Sequence, residues 1–262
     1  MHDFFTMITF LDSTDSTNTY LWQMLKQNPD LPDGTTVCAN YQTAGRGQTG
    51  NSWESVAGQN LLFSTLIKTE CVPIERQFVL NELVAIGVTR VVKRYIPEAC
   101  IKWPNDIYYQ NSKLAGILIE GQIIGKQLTI IAGVGLNVNQ TQFFSNALNP
   151  ISLKQITKAD YDIKQLLNDI LSEVDTLKPL LTCPQQLKDE YMQLLYRKDG
   201  YHLYKEVIST VAPMMPEQYA DESAFLAKIA DISPQGALIL EKENGEQKTY
   251  NFKQIKYIIT PI

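Results

Sequence analysis

The stretch IKWPNDIYYQNSKLAG, Ile101 to Gly116, sets two lysines, Lys102 and Lys113, on either side of an apolar turn. Lys102-Trp103-Pro104-Asn105-Asp106 reads as the close of one strand, and Lys113-Leu114-Ala115-Gly116 as the opening of the next. A lysine, an amide and a carboxylate around Trp-Pro are costly to desolvate in a core. Together they suit a site that handles a phosphate and its metal. The same residues also fit a polar hairpin with one snorkelling lysine. A second candidate is Gly45-Arg46-Gly47-Gln48-Thr49-Gly50, which matches G-x-G-x-x-G after a strand. A dinucleotide fingerprint needs a helix to open inside that motif. Asn51-Ser52-Trp53-Glu54-Ser55 and then Gly58 follow, and they start no amphipathic helix. No HRD or DFG sequence lies downstream, so a kinase loop is excluded too. What is left is a loop of backbone N–H groups and one guanidinium, suited to a phosphate or carboxylate, or an ordinary surface turn.

Other patterns narrow the chemistry. The chain has two histidines, His2 and His202, which argues against a histidine triad or a multi-histidine metal site. No G-x-x-x-x-G-K-[ST] loop is present. Asp15-Ser16-Thr17-Asn18 reads as a helix N-cap, which by itself accounts for Ser16 or Thr17. Gly133-Val134-Gly135-Leu136-Asn137-Val138-Asn139 ends an apolar strand in two asparagines. On a strand Asn137 and Asn139 point the same way, into a cleft, unless they lie in a loop.

The elements that must position these residues alternate. The 262 residues make one large domain or two smaller ones, with room for a cleft. Periodicity predicts helices over 17–27, 75–95, 162–181 and 184–195. It predicts strands over 36–41, 60–67, 99–109, 114–124 and 128–138. From Tyr201 the chain turns to short β-rich runs split by Pro234-Gln235-Gly236 and Glu243-Asn244-Gly245-Glu246, which predicts a small barrel and a boundary near residue 197. A formal net charge of −5 without charge blocks argues against nucleic acid. Cys38, Cys71, Cys100 and Cys183 are scattered and read as small core residues in a reducing cytoplasm. The uncharged run 127–153 is interrupted by Asn, Gln, Thr and Pro and fails as a membrane span, and MHDFFTMITF is not a signal peptide.

Taken in order, DSTN at Asp15–Asn18, QTAGRGQTGNSW at Gln42–Trp53, NLLFS at Asn60–Ser64, KWPND at Lys102–Asp106, KLAGIL at Lys113–Leu118 and GVGLNVN at Gly133–Asn139 resemble a biotin–protein ligase, biotin–[acetyl-CoA carboxylase] ligase. PQGALIL at Pro234–Leu240 adds a weaker match. The related lipoate ligases share the fold, but their signature with a following His-Asp is absent. A silent biotin- or adenylate-binding protein is the reading from another class; Lys113 and Arg46 argue against it. The resemblance implies an α+β fold: a mixed sheet flanked by helices, class II synthetase-like, over residues 1–196, followed by an SH3-like β-barrel over 197–262. It implies a monofunctional enzyme with no DNA-binding module, acting as monomer or homodimer on a biotin-carboxyl-carrier protein domain, with no membrane partner.

The implied reaction joins the biotin carboxylate to the α-phosphate of ATP and then passes the biotinyl group to a lysine. On the family pattern Lys113 and Arg46 are the catalytic residues, bridging biotin carboxylate and phosphate. Ser16, Thr17, Asn18, Gln42, Arg46, Gly47, Gln48, Lys113 and Gly116 line the biotin end. Trp53, Lys102, Asn105, Asp106 and Asn137 serve ATP and the adenylate, with Asp106 a ligand of Mg²⁺. Arg46 is expected to gain a partner only when an anion arrives. Many members carry an arginine where Gln48 stands and often another basic residue in place of Thr49, so this loop has one cation to retain an adenylate.

Overall fold

The alternating pattern folds into two sheets in the computed structural model, which describes residues 7–48, 51–144, 149–207 and 224–259. The elements run β1 (Ile8–Thr14), α1 (Thr17–Gln27), β2 (Thr36–Gln42), β3 (Leu61–Thr69), α2 (Phe78–Lys93), β4 (Cys100–Lys102), β5 (Asp106–Tyr109), β6 (Ser112–Ile124), β7 (Gln127–Leu136), α3 (Leu153–Thr157), α4 (Ile163–Leu177) and α5 (Pro184–Gln193). Then come β8 (His202–Glu206), β9 (Phe225–Ile232), β10 (Leu238–Lys242), β11 (Gln247–Tyr250) and β12 (Ile255–Tyr257). The first sheet has the order β1-β2-β3-β7-β6-β5-β4, with β1 and β2 parallel and the other pairs antiparallel. The second is antiparallel in the order β11-β10-β9-β8-β12, and among the described residues its outer strands do not pair to close a barrel.

The period of two in the strands divides the first sheet into unlike faces. Ile130, Ala132, Val134 and Leu136 of β7 and Leu61, Phe63 and Ile67 of β3 join the large core under α2, α4 and α5. Ile131 and Leu66, one step out of phase, pack under α1 with Leu21 and Leu25. That second face is covered at one end only. Farther along it lie Ser64, Gly133, Gly135 and Gly116, brought into line by the pairs Ser64↔Gly133 and Gly116↔Gly135. This small-residue floor is where a cleft opens.

Several boundaries differ from the sequence reading. The predicted strand 99–109 is a hairpin, with Trp103-Pro104-Asn105 as its turn and Lys102 paired to Asp106. So KWPND closes β4 at Lys102, turns the chain and opens β5 at Asp106. β7 ends at Leu136, before both asparagines. The long helix 75–95 is a 3₁₀ turn at Ile74–Arg76 followed by α2, and Pro179 breaks 162–181 into α4 and a 3₁₀ turn at Lys178–Thr182. β1 and α3 carry too little periodic apolar signal to be seen in advance: β1 is a half-exposed edge, and α3 is five residues long. Cys71 and Cys183 are exposed, so only Cys38 is a buried cysteine. No described helix is long and apolar enough to cross a membrane.

The sheets share one continuous core that includes Tyr204, Ile229, Leu238 and Tyr257. The turn at Pro234-Gln235-Gly236 docks on the hairpin: the Trp103 indole N–H donates to the Gly236 carbonyl at 2.9 Å. Gly236 has φ +89°, and a Cβ there would meet the Phe78 ring at 2.2 Å, so this turn requires glycine.

Candidate active site

A cavity of about 640 Å³ opens over the small-residue floor. At one end, α1 presents Ser16, Thr17 and Asn18 to it. These residues do not act as a cap: Ser16 sits at the N-cap position but its side chain makes no capping bond. Instead Thr17 donates from its backbone N–H to Gln42 Oε1 at 2.8 Å. The Asn18 amide donates to Glu120 at 2.9 Å. The Ser64 hydroxyl lies 2.5 Å from Asn18 Oδ1 and 2.7 Å from Thr17 Oγ1. Asn18 can lie on the floor because Gly133 is bare; a Cβ there would meet its Oδ1 at 2.2 Å. Donors and acceptors are therefore fixed in advance at this end of the cleft.

The other end is built by the hairpin β4–β5 and by β6. Lys102, Asp106 and Gly116 share the cavity face through the pairs Lys102↔Asp106 and Asp106↔Gly116. Lys113 is an odd number of residues from Gly116 and would point to the opposite face of a regular strand. A bulge prevents this. Ile107 pairs with Ala115 while Tyr108 pairs with Lys113, so β6 carries an extra residue and Lys113 is turned into the cleft. Its ammonium lies 2.6 Å from Asp106 Oδ1 and 5.6 Å from the centroid of Trp53. Trp53 lies flat over the glycines: a Cβ on Gly135 would meet the indole at 2.4 Å and one on Gly116 at 2.9 Å.

Lys102 is 3.1 Å from the Tyr108 hydroxyl, and burial holds its ammonium below the ordinary lysine range. Nearby Asp106 opposes that shift, while Lys113 and Arg197 add to it. The turn beneath is tightly braced. The Pro104 carbonyl accepts from Asn81 Nδ2 at 2.7 Å and from the Tyr191 hydroxyl at 2.6 Å. Asn105 donates its side-chain amide to the Ile117 carbonyl.

All the residues expected at the site line this cavity except Asn137. Asn137 is buried and its amide donates to the Ile151 carbonyl at 3.1 Å and the Lys113 carbonyl at 3.4 Å, so it braces the chain behind Lys113. Asn139 likewise exchanges hydrogen bonds with the Tyr161 backbone. Both lie beyond the end of β7, so the loop alternative holds and the shared orientation of strand residues does not apply. Arg46 is already paired, with Glu120 at 2.9 Å, against the expectation that it waits for an anion. Gln48 turns its amide oxygen into a buried place with no hydrogen-bond partner. Thr49 and Gly50 lie outside the described residues. His202 is not among the residues lining the cavity; its ring lies against the Asp199 carbonyl. Ser64, Glu120, Tyr108 and Asn81 were not singled out from sequence. Ser64 closes the motif NLLFS, so its phase against the glycines of β7 was the available signal.

Of the described residues lining the cavity, Asp106 is the single acid, against Arg46, Lys102, Lys113, Lys253 and Lys256. Such a cleft suits a ligand with more than one anionic group. Among the described residues no group of three or more His, Cys, Asp or Glu side chains could hold a metal alone. Asp106 together with phosphate oxygens fits the way Mg²⁺ is usually held.

Residues 10–137 match the model of the biotin/lipoate A/B protein ligase family. The chain is 28% identical over 226 residues to the bifunctional ligase/repressor BirA of Bacillus subtilis, covering 86% of this chain and 66% of that one. It is 35% identical over 131 residues to the biotin–[acetyl-CoA-carboxylase] ligase of Mycobacterium tuberculosis, 48% of this chain and 47% of that relative. The chain thus spans two thirds or less of these curated relatives. The structure of the biotin protein ligase from Aquifex aeolicus in complex with biotin and ATP superposes with a TM-score of 0.74 over 97% of this chain and 100% of that one, at 24% identity, which establishes the shared fold.

Proposed function

We propose that this chain is a biotin–protein ligase. It activates biotin with ATP to biotinyl-5′-AMP and transfers the biotinyl group to a lysine of a carrier domain. The observation that carries the reading is the polarity of the cleft. One end is an array of hydrogen-bonding side chains from Thr17, Asn18, Gln42 and Ser64, the other a set of cations, Lys102 and Lys113 among them, around the single lining carboxylate of Asp106.

In the first step a biotin carboxylate oxygen forms a bond to the α-phosphorus, and the bond from that phosphorus to pyrophosphate breaks. Two anions must approach, so a fixed cation between them lowers the barrier. Lys113 is placed for that role, and Asp106 holds its ammonium until the substrates arrive. Thr17, Asn18 and Gln42 fit the ureido end, Asn18 being oriented by Ser64 and Glu120. Lys102 fits the phosphates leaving as pyrophosphate. Mg²⁺, when bound, supplies charge neutralisation on the triphosphate; Asp106 is the carboxylate at hand to hold it. In the second step the amine of the acceptor lysine attacks the acyl carbon and AMP departs.

The chain divides near residue 197 on this reading, since residues up to β7 build the first sheet and those from His202 the second. Four free cysteines support a reducing cytoplasm. The test supplies ATP with biotin or with lipoate and measures pyrophosphate, then follows labelled biotin onto a purified carrier domain. Release with biotin only, followed by transfer, is expected. Release with lipoate only, or with neither, overturns the reading.

A further inference from the structure

We propose that the second sheet completes the nucleotide end of the cleft through Tyr257, whose ring face holds the Lys102 ammonium in position for ATP. The inference rests on the ligase reading and adds a residue from outside the family-matched segment. Lys102 Nζ lies 4.7 Å from the ring centroid of Tyr108 and 5.3 Å from that of Tyr257. Tyr108 belongs to β5 of the first sheet, Tyr257 to β12 of the second. The lysine therefore sits between rings supplied by two sheets, on the wall of the cavity that both rings line.

Tyr257 is itself held rigidly. It is 7% exposed and pairs across the sheet with Tyr204, the two rings meeting at 5.0 Å and 62°. Arg197, at the junction, donates to the Ile258 carbonyl at 2.8 Å and to the Leu203 carbonyl at 3.3 Å, strapping β12 and β8 beside it. The Tyr257 hydroxyl is buried with no hydrogen-bond partner, so among its contacts it is the ring that reaches Lys102. A lysine over an aromatic face is attracted by the ring quadrupole, more strongly when water is excluded. A free lysine side chain also loses rotamer freedom on binding a phosphate. Two rings that hold it beforehand remove that cost from ATP binding and leave biotin binding untouched.

The test measures pyrophosphate release by the full chain with biotin and ATP. Tyr257→Leu is expected to raise the KM for ATP about tenfold while the KM for biotin stays within about twofold. Tyr257→Phe, which keeps the ring, restores the ATP value. A series of progressively fluorinated phenylalanines at this position then depletes the negative face with little change of shape, and the KM for ATP should climb with each fluorine. Should Tyr257→Leu fail to fold, that series decides alone. A flat series, or a Phe variant as weak as the Leu variant, overturns the proposal. A wild type that releases no pyrophosphate overturns the ligase reading instead, and the fluorinated series read by ATP-binding calorimetry still decides the role of the ring.

Discussion

The two sides of the cleft are built by opposite means. The hairpin that carries Lys102, Asn105 and Asp106 is braced from beneath at every step: Asn81 and Tyr191 hold the Pro104 carbonyl, Trp103 holds Gly236, and Asn105 holds Ile117. Among the described residues between Gly45 and Trp53, the backbone is tied locally, by Gly47 N–H to the Asn51 carbonyl at 2.8 Å and Trp53 N–H to the Gly45 carbonyl at 2.9 Å. Its Arg46 is 42% exposed and paired with Glu120, and the polar atoms of Gln48 and Trp53 that reach inward have no partner. Buried polar groups without partners cost free energy, and a ligand that meets them recovers it. One side is preorganised by the core; the other awaits its substrate to be completed.

The largest test of that contrast removes the cation on the rigid side. Lys113→Ala should fold and lose about 10²–10³ in the rate of adenylate formation, measured as pyrophosphate release. Near-normal release by a folded variant would break the assignment of chemistry to that side.

The bracing itself is tested next. Asn81→Ala leaves the Pro104 carbonyl with Tyr191 alone and should cost about 0.5–1.5 kcal/mol, with a raised KM for ATP and an unchanged KM for biotin. Equal losses for both substrates would mean that the brace serves the fold at large.

Glu82, beside Asn81, sharpens the same point through pH. Burial pushes its carboxyl up to about 8, with Lys188 opposing and Asp231 adding. Its folded value lies above the unfolded one, so the stabilising state is the protonated one. That contribution is present below about pH 4.5 and is lost as pH rises towards 8. Glu82→Gln should therefore melt higher than wild type at pH 8, by on the order of 5 °C, with the gap closing towards pH 5. A gap independent of pH in thermal melts would contradict it.

The smallest effect belongs to the loop. Gln48→Arg puts a guanidinium where a buried amide oxygen has no partner, and it should slow dissociation of preformed biotinyl-AMP by an amount near 1 kcal/mol. Equal dissociation rates would show that Gln48 does not meet the ligand, and would leave Arg46 and Lys113 as the cations that hold it.

Much of this was legible in one dimension. The spacing of Lys102 and Lys113 and the lone guanidinium of Arg46 pointed to an anion-handling site, because residue type reports desolvation cost. The apolar helices declared themselves for the same reason, and so did the switch to short strands after Tyr201. Tertiary structure decided what depends on a partner distant in sequence. A bulge against β5 turns Lys113 into the cleft, and Glu120 takes Arg46, neither of which local pattern encodes. Asn137 braces the chain behind the site because β7 ends one residue earlier, at Leu136. Tyr257 reaches Lys102 only because two sheets pack together, and contacts between separate sheets follow from burial of their shared core, which no local pattern of residues contains.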